Sequence, residues 1–65
     1  MFIKLTEFMS YPVIIDTDSI DTAFISGSET NLKVVIVIGS AEIETNNMSE
    51  VMAIAYINQL WEQVM

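Results

Sequence analysis

Seven consecutive residues, Leu32-Lys33-Val34-Val35-Ile36-Val37-Ile38, restrict the folds open to this chain more than any other stretch. Six of the seven are apolar and five branch at Cβ, which suits a pleated, buried strand and crowds a helix. Leu32, Val34, Ile36 and Ile38 alternate with Val35 and Val37, so apart from Lys33 both faces of such a strand are apolar. A strand of this kind needs cover on both sides. One helix supplies only one.

How much cover the chain can provide depends on its size. Its 65 residues form one small domain, and a chain this short buries only about 60% of its unfolded surface. With neither cysteine nor histidine, it has no disulfides and no thiolate or imidazole zinc site to act as a staple. Yet 52% of the residues are hydrophobic, so association with another chain is the staple that remains.

Membrane insertion would also account for the hydrophobicity, but no window reaches the roughly 18 uninterrupted apolar residues of a spanning helix. The opening residues, Met1-Phe2-Ile3-Lys4-Leu5-Thr6-Glu7, are too interrupted for a signal peptide. The expected location is therefore cytoplasmic. Lys4 and Lys33 stand against nine acids for a net charge of −7, and arginine is absent. Such a chain repels phosphates and anionic lipid, which argues against nucleic acid or a membrane as a direct ligand. A basic protein partner is compatible with that charge.

Period-two patterns predict strands at residues 1–6, 13–15, 20–26, 32–38 and 41–45. Pro12 has no N–H to give a ladder and fits the start of the second strand. Asp16-Thr17-Asp18-Ser19 reads as a turn, residues 26–31 as a polar loop, and Gly39-Ser40 as a II′ or I′ hairpin turn. Asn47 with Glu50 three residues later has the spacing of a capping box, which predicts a helix from Met48 to about Val64. Ala53, Ile54, Tyr56, Ile57, Leu60, Trp61 and Val64 form its broad apolar face. Met48, Val51, Met52 and Ala55 fall on the side that should be wet. The predicted fold is α+β: a five-stranded antiparallel β-meander, with partial closure into a barrel as a variant, followed by one C-terminal α-helix.

Several short words occur in an order that resembles the FlbD/SwrD-like small proteins: Phe2-Ile3-Lys4-Leu5-Thr6, Pro12-Val13-Ile14-Ile15-Asp16, Asp18-Ser19-Ile20, Ala41-Glu42-Ile43-Glu44-Thr45 and Ser49-Glu50-Val51. They span most of the chain. The resemblance implies a cytoplasmic meander-plus-helix protein associated with flagellar or swarming motility, with no catalytic residues to carry over. This sequence departs from the pattern in having Gly39-Ser40 rather than Asn-Gly at the hairpin and in its high acidity.

Candidate chemistry is sparse. A calcium loop starting at Asp16 fails, because Ile20 takes its fifth position, Asp21 the sixth where glycine is needed, and Gly27 the twelfth where glutamate is needed. Glu42 and Glu44 lie two apart on a strand's outer face, too well solvated to be tuned for acid–base work. Ser26, Ser28 and Ser40 have no histidine base. No enzymatic activity, metal or cofactor is expected.

Two surfaces remain as sites. Met48, Val51, Met52 and Ala55 on the helix, with Val35 and Val37 on the uncovered sheet face, form the expected interface of a homo-oligomer, methionine being adaptable at such contacts; the alternative is a helix set deep in a groove, its first half covered within the chain. Asp16, Asp18, Asp21, Glu29, Glu42 and Glu44 form an acidic patch. It serves solubility, or else imitates phosphates so that the protein occupies another protein's nucleic-acid groove. The function expected is a protein-interaction module acting as an accessory or regulatory factor. The alternatives are an acidic inhibitor of phage or mobile-element type and an oligomeric binder of a small ligand.

Overall fold

The computed structural model describes residues 1–64. Five strands run in chain order, β1 (Phe2–Leu5), β2 (Val13–Asp16), β3 (Thr22–Ser28), β4 (Asn31–Ile38) and β5 (Ala41–Glu44), and helix α1 (Glu50–Val64) follows them. The class is α+β and every strand pairing is antiparallel. The strands do not form one continuous sheet, however. β1 and β2 make a two-stranded ribbon, β3-β4-β5 make a three-stranded sheet, and neither closes into a barrel.

The break between the two sheets is set at the turn after β2 and held by a contact distant in sequence. Asp16 turns the chain by accepting the Asp18 N–H on its carboxylate at 3.1 Å, starting a single 3-10 turn over Thr17–Ser19. Thr17 then ties that turn to β1: its N–H and its hydroxyl both donate to the Met1 carbonyl, at 2.8 and 3.0 Å. Three residues spent in the turn carry the chain away from β2. It re-enters a ladder only where Asp21 N–H reaches the Val37 carbonyl at 2.8 Å.

The long apolar strand is the centre of the sheet and of the core. Leu32, Val34 and Ile36 are buried against Ala53, Tyr56 and Leu60 of α1, and Ile15 and Met48 join the same cluster. The ribbon adds Ile3, Leu5 and Val13 at its margin. On the opposite face Val35 is only 4% exposed, flanked across the strands by Phe24 and Glu44. Lys33 Nζ bonds Glu44 Oε1 at 2.6 Å on the same face, so long side chains lie along apolar surface there. Val37 is half-buried between Thr22 and Glu42. That face is therefore sheltered by its own cross-strand neighbours and not by a second layer, which corrects the expectation that Val35 must wait for a partner.

Two connections also differ from the predicted ones. β3 runs on to Ser28, and Ser28 pairs with Asn31, so the loop is the two residues Glu29-Thr30 with Glu29 at φ +53°. Gly27 makes that close hairpin feasible, since at φ +115° a Cβ there would stand 2.3 Å from the Asn31 carbonyl oxygen. The helix begins later than its apolar periodicity indicates. Ser49 is the cap: its hydroxyl accepts from Met52 N–H at 3.4 Å and its carbonyl from Ala53 N–H at 2.9 Å. Met48 lies before the helix and exchanges backbone bonds with Leu32 in both directions, at 2.6 and 3.2 Å.

Candidate interaction surfaces

Of the six residues expected at an interface, two are interior. Met48 is 5% exposed and Val35 is 4%, Met48 because its bridge to Leu32 draws it into the core. Val37 is half-buried. Val51 at 76%, Met52 at 43% and the exposed Ala55 remain on the surface of α1.

Ile54 and Trp61, assigned to the core face by periodicity, are 46% and 62% exposed. The buried stripe of α1 is narrow, comprising Ala53, Tyr56 and Leu60. Ile54 and Trp61 each follow a buried residue and so lie about 100° away around the helix. Together with Val51 and Asn58 they form one ridge at spacings of three and four residues. A groove of ≈ 410 Å³ runs beside this ridge, between Ile20 and Ala23 on the sheet side and Ile57, Trp61 and Val64 on the helix.

The six acids do not gather into one patch. Asp16 and Asp18 face the N-terminal ammonium at 3.3 and 3.4 Å. Asp21 accepts the Gly39 N–H at 2.6 Å, and Glu44 is held by Lys33. Glu29 is at the tip of the β3-β4 hairpin, at the far end of β3 from Asp21, about 26 Å away at ~3.3 Å per strand residue. Asp16 has its carboxyl held below the usual carboxylate range, first by the Asp18 N–H and then by the N-terminal ammonium. Among the described residues no group of three or more acids could hold a metal ion.

A second groove, of ≈ 330 Å³, separates β1 from the other flank of α1, with Ile3, Leu5, Tyr56 and Leu60 in its wall. Among the described residues the buried Tyr56 hydroxyl has no hydrogen-bond partner. Burial, and then the charge of Glu7, push its pKa up. Phe8 meets the Tyr56 ring edge-on, 6.3 Å between centroids. Sequence periodicity placed Tyr56 in the core but carried no sign that its hydroxyl would be stranded there.

No helix of the described residues is long and apolar enough to cross a membrane. Compared with protein-family models, curated proteins and solved structures, the chain matches none.

Proposed function

We propose that this protein is a non-enzymatic, cytoplasmic protein-interaction module that self-associates and binds another protein as an accessory or regulatory factor. The observation that carries this reading is the second apolar surface of α1. Having buried Ala53, Tyr56 and Leu60, the helix still exposes Val51, Ile54 and Trp61 on one ridge. Exposed apolar surface gathered in one place favours association, and tryptophan is enriched among the residues that anchor interfaces. The resemblance of its strand words to those of FlbD/SwrD-like proteins points to an accessory role in the same direction.

Sedimentation velocity from micromolar concentrations upward, with affinity capture on the immobilised chain, tests the reading. The expected result is a concentration-dependent assembly, together with a captured protein that a Val51→Glu, Trp61→Glu double variant no longer retains. A strictly monomeric chain that captures nothing beyond that variant would overturn it.

A further inference from the structure

The two edges of the three-stranded sheet are built differently. β5 carries Glu42 and Glu44, and charge on an edge strand discourages pairing with other chains. β3, Thr22-Ala23-Phe24-Ile25-Ser26-Gly27-Ser28, has neither a charge nor a proline along seven residues. Its residues make no backbone bond to any element but β4 among the described residues. A long, uncharged, open edge is a template for another strand, and folded proteins otherwise guard against it.

Which backbone groups point outward follows from the ladder. Val34 turns its backbone to the β5 side, since its carbonyl accepts the Thr45 N–H at 3.0 Å. By alternation Val35 and Val37 turn theirs toward β3, where their partners are Phe24 and Thr22. The N–H and C=O groups of Ala23, Ile25 and Gly27 are therefore the ones directed away from the sheet.

We infer that β3 pairs antiparallel with β3 of a second copy about a two-fold axis at Phe24, joining two sheets into one of six strands with both helices on the same face. In this register Ala23 and Ile25 of the second copy exchange hydrogen bonds, and Phe24 meets its own counterpart at a non-hydrogen-bonded position, where side chains stand closest. The uncharged β3 offers a basic partner no acid to pair with and a second copy no acid to oppose, so a copy fits this edge, and charge then selects the register. On a chain of net charge −7, an isologous contact must keep acids from facing acids. A two-fold at Phe24 sets Asp21 against Gly27 of the second copy. A two-fold at Ile25 would set Asp21 against Glu29 instead. Phe24, 44% exposed, becomes covered, and the groove beside Trp61 lies next to the seam. The inference deepens the self-association in the proposed function and rests on it.

Charge reversal at the two-fold tests it. Phe24→Lys and Phe24→Glu each place like charges opposite one another, and each should weaken self-association by at least about tenfold. Mixing the two variants should restore a dimer containing one of each. If either variant dimerises as the wild type does, the edge pairing is wrong while the α1 ridge remains a candidate. A wild-type chain that stays monomeric at every concentration overturns the pairing as well, and capture of another protein then decides the wider reading alone. Amide exchange on the wild type needs no variant to fold. The Ala23, Ile25 and Gly27 N–H groups should become protected as concentration rises, with Phe24 N–H protected throughout. Exchange at those three sites that ignores concentration would likewise overturn the pairing.

Discussion

Two buried hydroxyls illustrate how the same group stabilises or destabilises according to its neighbours. Thr45, 4% exposed, lies where β5 has just ended, and its Oγ1 accepts the Val34 N–H at 2.9 Å. That bond substitutes for the carbonyl the strand no longer offers. Thr45→Val keeps the shape and leaves a buried N–H unpaired, so it should cost about 1–3 kcal/mol, read as a lower urea midpoint with unchanged slope. Tyr56 is the reverse case, a buried hydroxyl with no partner among the described residues. Removing it as Tyr56→Phe should raise stability by about 1 kcal/mol, because the folded state no longer holds a desolvated donor. The two variants also differ in alkali. Tyr56 ionises above its ordinary value of 10.0 in the folded protein, so the proton leaves the unfolded chain first. The group adds no pH dependence below pH 10, and stability falls as pH rises from there to the folded value. Thermal unfolding followed above pH 10 should show a steeper loss for the wild type than for Tyr56→Phe.

The start of α1 separates what pattern alone can locate from what needs tertiary contacts. Ser49→Ala removes the hydroxyl that accepts Met52 N–H and should cost about 1 kcal/mol, whereas Asn47→Ala should change little. The opposite ranking in thermal unfolding would restore Asn47 as the cap. Asn47 and Ser49 are both capable caps, and the apolar pattern continues back through Met48. What decides between them is that Met48 spends its N–H and C=O on Leu32, a bond between residues 16 apart that no local window contains. The same limit explains the sheets. Each strand was legible from alternation and its turn chemistry, and so was the α+β class. Division into two sheets depends on Thr17 reaching Met1, another distant contact. Of the residues expected at an interface, Val51, Met52 and Ala55 are exposed, as their place on the polar side of the helix implies. Val35 was misread because the side chains that shelter it, Phe24 and Glu44, come from the neighbouring strands. Ile54 and Trp61 were misread because the helix buries a narrower stripe than its composition allows.

For the molecule as a whole, charge and association act against each other, and salt separates the two kinds of partner. The molecule measures 32 × 21 × 19 Å. At 0.01 M salt the Debye length is ~30 Å, so acids anywhere on one copy repel those on another; at 0.15 M it is ~8 Å. Only groups near the contact then matter, and β3 contributes none with a charge. Raising salt over that range should therefore tighten self-association, because it removes the long-range repulsion between two chains of net charge −7 while leaving an uncharged seam untouched. Binding to a basic protein should move the other way, since screening weakens an attraction between unlike charges. Sedimentation equilibrium at the two salt concentrations measures the first, and capture yield at the same concentrations measures the second. Self-association that weakens with salt would mean the copies meet through ion pairs. Lys4 and Lys33 are the only lysines available for that, and Lys33 is already joined to Glu44 within its own chain.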